Sequence, residues 1–153
     1  TFVIPEAIID DTVMTIPGTD GQKMSKSYGN TIDIFLPDKP LRKQIMSIIT
    51  DSTQIEATKN PDTCNVFALY KLLASEKQLN EMRQNYLGGN YGYGHAKQAL
   101  FELITDKYEN ERKAFSNLMD NPEEINKRLV EGELKASKIA KNVLAKVKTK
   151  LGF

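Results

Sequence analysis

The pattern of apolar positions changes character near residue 35. Before it, apolar residues come in short runs; after it, they recur at helical spacing. Phe2-Val3-Ile4 and then Val13-Met14-Thr15-Ile16 lie against prolines, and the second run feeds Pro17-Gly18. A short, partly β-branched run followed by turn residues predicts a strand that opens into a loop. Residues 30–36 read as an extended or turn segment. Asp38-Lys39-Pro40 then has the form of a helix start, with proline in the first turn. Leu41, Ile45, Ile48 and Ile49 follow at helical spacing and predict a helix ending near Asp51-Ser52-Thr53. Residues 53–63 are polar and contain Asn60-Pro61, which predicts a loop.

Four further helices follow from the same periodicity. One runs from about Asp62, with Val66, Leu69, Tyr70 and Leu73 on one face. Ser75-Glu76-Lys77-Gln78 has the form of a capping box and opens the next, through Leu79, Met82 and Tyr86. Residues 87–94 hold four glycines in eight positions, which predicts a connection in which Tyr91 and Tyr93 serve as packing anchors. His95 begins a long helix with Leu100, Leu103, Ile104, Tyr108, Phe115 and Leu118 as its buried stripe. Asn121-Pro122 reads as an N-cap and first turn. The last helix is expected to reach about Lys150 and stop at Gly152, with Leu129, Ala136, Ile139, Ala140, Val143, Val147 and Leu151 facing inward. The predicted fold class is mainly α: a small α/β piece over residues 1–35, joined to an antiparallel helical bundle over residues 36–153.

Composition narrows the chemistry. One cysteine, Cys64, and one histidine, His95, leave no disulfide and no cysteine- or histidine-based metal cluster, so no metal site is expected. A lone histidine without a nucleophile beside it is a weak catalytic signal. No apolar run reaches membrane length and no secretory leader opens the chain, which predicts a protein of a reducing compartment without membrane contact. Net charge is +1, but the segment from Asn126 onward carries eight basic residues against Glu131 and Glu133. Such a surplus suits either a solvated helix face or an RNA backbone contact.

The densest local chemistry is Gly21-Gln22-Lys23-Met24-Ser25-Lys26-Ser27-Tyr28-Gly29-Asn30. Glycines let the backbone bend closely, hydroxyls donate hydrogen bonds, and lysine ammonium groups bring mobile point charges. A lysine-rich surface loop would share this composition. The exact string Lys-Met-Ser-Lys-Ser, however, arises by chance in a chain this long with a probability on the order of 10⁻⁴.

In that string the chain resembles the class I aminoacyl-tRNA synthetases. The order of Ile48-Ile49-Thr50-Asp51-Ser52, Tyr91-Gly92, His95-Ala96-Lys97, Glu131-Gly132, Lys135-Ala136 and Ile139-Ala140 is similar to the C-terminal half of the bacterial tryptophan-specific members. The resemblance implies a fragment of a tryptophanyl-tRNA synthetase. In such an enzyme ATP, with Mg2+ on its phosphates, activates tryptophan, which is then transferred to tRNA(Trp). It implies that residues 1–35 are the end of a Rossmann-like catalytic domain and residues 36–153 a helical domain facing the tRNA anticodon. It further implies that Lys23 and Lys26 are catalytic clamps on the phosphates, that Lys23, Met24, Ser25, Lys26 and Ser27 form the ATP-closing loop, and that the backbone at Val13 and Met14 lies on the adenine side. Met24 is the residue expected to anchor the loop by packing. A homodimeric, cytoplasmic full-length enzyme is also implied. The His-x-Gly-His element of the class cannot be present with one histidine, so the chain by itself is expected to be inactive. Tyr28-Gly29-Asn30 departs from the many tryptophan enzymes that continue with Asp. The alternatives are the same region of a tyrosyl-type enzyme and a non-catalytic helical RNA-binding module.

Overall fold

The computed structural model describes residues 3–8 and 15–152. Among them are six α-helices: α1 (Asp38–Met46), α2 (Asn65–Lys71), α3 (Glu76–Gly88), α4 (Tyr93–Lys107), α5 (Glu109–Asp120) and α6 (Pro122–Leu151), with 3-10 turns at Lys26–Tyr28 and Pro61–Thr63. The expected strand lies partly outside the described residues, at Val13 and Met14. Thr15 and Ile16, which are described, form none. Among the described residues, strand pairing is limited to one antiparallel bridge between Pro17 and Lys23. A parallel strand needs a neighbouring strand for its backbone groups, and no strand is present among the described residues.

The chain divides into two compact units, Ile9–Arg112 and Thr1–Ile8 with Lys113–Phe153. In the first, α4 is the central element. Its Ala96, Leu100, Leu103 and Ile104 meet Leu41 and Ile45 of α1, and Val66, Phe67, Leu69 and Tyr70 of α2, in one buried cluster that also takes in Ile48, Met82 and Tyr86. Most of these positions lie on the stripes that the helical spacing marks, so burial of one apolar face per helix accounts for the packing; Ile49 and Phe115, expected on the same stripes, are exposed. Among the described residues no buried side-chain nitrogen or oxygen lacks a hydrogen-bond partner.

Helix boundaries differ from expectation where tertiary bonds take over backbone groups. α1 stops at Met46 instead of near Asp51. Lys97 Nζ donates to the Met46 carbonyl at 3.1 Å, and the Ile49 amide donates to Thr19 O at 2.7 Å in place of a helical acceptor. α2 begins at Asn65, because Asn60 caps a separate 3-10 turn over Pro61–Thr63. α3 opens on the capping box at Ser75 and Gln78 as the sequence predicts. It runs through Gly88, and α4 starts at Tyr93, so the connection shrinks to residues 89–92. Gly89 is required there: its φ is +73°, and a Cβ would stand 2.5 Å from Glu56 O.

The predicted long helix from His95 is broken at Tyr108, without proline or glycine. Lys107 Nζ donates to Leu73 O at 2.6 Å on one side of the break. On the other, Arg112 donates to Ile34 O and to Asp38 Oδ1, the latter at 2.7 Å. Asn121 occupies the N-cap position of α6 but makes no capping bond; its amide donates to Asn117 O at 2.7 Å instead. Pro122 holds the first turn and Gly152, at φ +84°, ends the helix as expected.

α6 corrects the reading of its stripe as inward. Leu129, Ile139 and Leu151 are each about two-thirds exposed, Ala136 and Ala140 are exposed, and no residue of α6 is buried. An amphipathic pattern specifies a face and not a partner; the face is buried only where an apolar surface lies alongside it.

Candidate functional site

The lysine loop is closed at its base by backbone bonds. Gly18 N donates to Gln22 O at 2.7 Å, Gly21 N to Gly18 O at 3.0 Å, and Met24 N to Ile16 O at 2.8 Å. Gly21 has φ +79°, the left-handed conformation that the turn demands. Asp20 Oδ1 accepts from Gln22 N at 3.0 Å and from the Asn30 amide at 2.7 Å. The Asn30 amide, followed by the bond from Gln22, holds the Asp20 carboxyl below its ordinary range.

Beyond this base, Ser25 caps the 3-10 turn Lys26–Tyr28. Its hydroxyl accepts from Ser27 N at 3.3 Å and pairs with the Ser27 hydroxyl at 2.7 Å. Gly29, at φ +66°, closes the turn. Met24 is half-buried and packs against the core of the first unit. Lys23, Lys26 and Ser27 are exposed, and among the described residues neither lysine has a carboxylate partner. The loop therefore holds two ammonium groups free for an anion, on a backbone pinned at both ends. Val13 and Met14 lie outside the described residues.

The loop base is docked on the helical part of its own unit. Thr19 O accepts the Ile49 amide, and Asn65 Nδ2 donates to Ile49 O at 3.3 Å. Beside this junction lies a cavity of about 250 Å³ lined by Ile49, Thr50, Asp51, Thr63, Cys64, Asn65 and Tyr93. Tyr93 Oη donates to both Asp51 oxygens at 2.9 Å. Asp51 is held below the usual carboxylate range, first by the Thr53 side chain, then by the Thr53 amide and Tyr93. Burial, followed by the bond to Asp51, pushes the Tyr93 phenol up to about 12.

A phenol whose pKa is raised in the fold contributes stability that is fully present below the unfolded value of about 10. That contribution disappears as pH rises through about 12. Tyrosinate absorbance of the unaltered chain, minus that of Tyr93→Phe, is expected to show a titration well above the ordinary phenol. A midpoint near the ordinary value would remove the Asp51–Tyr93 bond from the account.

Sequence reasoning missed three contributors. Lys59 is 3% exposed, a buried cation in what reads as a plain polar loop. Its Nζ donates to the carbonyls of Gln54, Ile55 and Ala57 at 2.9, 3.3 and 3.1 Å and lies 5.4 Å from the Tyr93 ring centre. These bonds offset the cost of burying its charge and fold the segment beside the cavity. Asn65 and Asn30 were also missed as loop supports. For Asn30 a signal exists: a polar residue directly after a glycine that ends a turn. Tyr91 and Tyr93 are packing anchors as expected, one tilted and the other edge-on against Tyr86, at 5.9 and 6.2 Å between ring centres.

The basic surplus of the last segment is carried on α6, where Lys127, Arg128, Lys135, Lys138, Lys141, Lys146, Lys148 and Lys150 are all exposed. Arg128 is bound to Glu124 one turn earlier. Among the described residues no helix is long and apolar enough to cross a membrane, and no cluster of three or more His, Cys, Asp or Glu residues is placed to hold a metal ion.

Against known proteins, residues 1–109 match the family model described as tRNA synthetases class I (W and Y). The tryptophan--tRNA ligase of Campylobacter jejuni (strain RM1221) is 42% identical over 99% of this chain and 48% of its own length. That of Fusobacterium nucleatum is 43% identical over 99% of this chain and 46% of its own. The crystal structure of tryptophanyl-tRNA synthetase from Campylobacter jejuni complexed with ADP and tryptophan matches with a TM-score of 0.87 at 42% identity, covering 97% of this chain and 47% of that one. The chain spans about half the length of the curated relatives it matches.

Proposed function

We propose that this chain, which belongs to the class I tRNA synthetases (W and Y), supplies the ATP-closing loop and helical domain of a tryptophan--tRNA ligase. The observation that carries the reading is the lysine loop: two exposed ammonium groups, three residues apart, without carboxylate partners among the described residues, on a backbone fixed at both ends. In the full-length protein the tryptophan carboxylate attacks the α-phosphorus of ATP and pyrophosphate leaves. The aminoacyl group then passes from the adenylate to a terminal hydroxyl of tRNA(Trp), releasing AMP. Negative charge gathers on the phosphate oxygens in the first step, and Lys23 and Lys26 stabilise it there. Met24, half-buried against the core, holds the loop in place. The Ser25–Ser27 hydroxyl pair shapes its turn. The backbone at Val13 and Met14 is assigned to the adenine side. Mg2+ arrives on the triphosphate.

In this reading the functional division falls between residues 35 and 36, with the phosphate-facing part before it and the tRNA-facing helices after it. The exposed lysines of α6 suit an RNA backbone. The full-length protein is proposed to be homodimeric and cytoplasmic, without membrane contact.

Pyrophosphate exchange decides the reading. The full-length protein is expected to exchange pyrophosphate into ATP with tryptophan and not with tyrosine, and the isolated chain with neither. Exchange with tyrosine alone would move the assignment to the tyrosyl enzymes. No exchange with either, together with tRNA affinity that falls tenfold or more across moderate salt, would leave a non-catalytic RNA-binding module.

A further inference from the structure

Asn30 is 2% exposed, at the end of a loop in which Gln22, Lys23, Lys26 and Ser27 are exposed. Every hydrogen-bonding group of its side chain is used inside the loop. Oδ1 accepts the Ser25 amide at 2.8 Å; Nδ2 donates to Asp20 Oδ1 at 2.7 Å and to the Lys23 carbonyl at 3.2 Å. Its own carbonyl accepts the Thr19 amide at 2.9 Å. The amide side chain thus grips the backbone on both sides of Met24, whose N–H is bound to Ile16 O. Gly18 makes room for it: a Cβ there would stand 2.4 Å from the Asn30 side chain and 2.7 Å from its carbonyl.

We infer that Asn30 is a positioning residue for the phosphate clamp: its amide, tied to Asp20, sets the backbone from which Lys23 and Lys26 project. The inference rests on the reading of this loop as an ATP clamp. Three consecutive backbones, at Lys23, Met24 and Ser25, are fixed by hydrogen bonds, two of them through this one side chain. Ser25 in turn caps the turn that carries Lys26. Without the amide, the Ser25 N–H and Lys23 C=O turn to water and the lysines sample positions away from the developing charge. Misplacing a catalytic group by about an ångström costs up to a hundredfold in rate.

The test uses the full-length protein in pyrophosphate exchange, with Asn30→Ala, Lys26→Ala and the double variant. Asn30→Ala is expected to lower kcat by about tenfold or more while leaving KM for tryptophan unchanged. The double variant is expected to be no slower than Lys26→Ala within about twofold, because residues acting as one unit are not additive. Asn30→Asp keeps the acceptor for Ser25, loses both donated bonds and sets a carboxylate against Asp20; its kcat is expected to fall in the same way. It also stands in if Asn30→Ala does not fold. A normal kcat in a folded Asn30 variant overturns the inference. So does a double variant in which the two defects multiply while the unfolding midpoint drops, the signature of a merely structural role. If instead Lys26→Ala exchanges normally, the clamp reading itself fails, and the two failures are thereby told apart.

Discussion

Replacing Lys26 by alanine in the full-length protein is expected to lower the rate of amino-acid activation by well over tenfold, on the order of a hundredfold. The motive is where charge appears. When pyrophosphate leaves, negative charge grows on oxygens that were already anionic, and a fixed ammonium beside them is worth more in the transition state than in the ground state. Lys26 sits in a 3-10 turn closed by Ser25 and Gly29, so its backbone is set by the loop itself. The side chain is exposed and makes no ion pair among the described residues, so the fold loses little: a change within about 0.5 kcal/mol is expected for such a surface site. Lys26→Arg should recover part of the rate, since it restores the charge with a different reach and geometry. Exchange rates and a thermal unfolding midpoint measured on the same preparations check both halves. A normal rate in Lys26→Ala, or a rate loss that tracks loss of fold, would sink the assignment.

The largest stability effect is expected at Tyr86. Its side chain is fully buried. Its ring meets Phe67 edge-on at 5.5 Å between centres and lies close to Tyr91 and Tyr93. Its hydroxyl is 3.4 Å from Cys64 Sγ, and its backbone carbonyl accepts the Lys59 amide at 2.8 Å. Tyr86→Ala removes a ring at the centre of three aromatic contacts, which costs about 3–5 kcal/mol. Against a total of about 5–15 kcal/mol for a domain, that is a large share of the stability, so the unfolding midpoint is expected to fall far. Tyr86→Phe removes only a hydroxyl bound to a weak sulfur partner and is expected to cost about 1 kcal/mol. Urea unfolding midpoints of the two variants separate these outcomes. Equal midpoints would mean that the hydroxyl, and not the ring, carries the site. Since the Lys59 amide is bonded to the Tyr86 carbonyl and its Nζ lies over the Tyr93 ring, Tyr86→Ala should also loosen the segment that Lys59 holds, seen as faster amide exchange over residues 54–58.

Legibility followed the range of the interaction. Where a signal is local, the sequence carried it. The capping box at Ser75 and Gln78, Pro122 in a first turn, Gly152 at a helix end and the stripe of Leu100, Leu103 and Ile104 all depend on residues a few positions apart, and all appear as read. Where a backbone group finds a distant partner, the sequence was silent. α1 ends early because Thr19 and Lys97 claim groups at its C-terminal end. The helix predicted from His95 breaks because Lys107 and Arg112 are drawn to Leu73, Ile34 and Asp38. The stripe on α6 was legible as a stripe, but not as an exposed one.

The lysine loop shows the same division. Its residue types, the spacing of Lys23 and Lys26, the packing of Met24 and the glycines that bend it follow from the string 21–30, because charge, hydroxyl and backbone freedom belong to residues one at a time. That Asn30 reaches back to Asp20, Lys23 and Ser25, and that Gly18 must be bare to admit it, was decided by the tertiary structure alone. The reason is physical. A side-chain amide has four hydrogen-bonding capacities and no sequence preference for where they are met. Only the folded path of the backbone selects among them, and only once water is excluded does meeting them become obligatory.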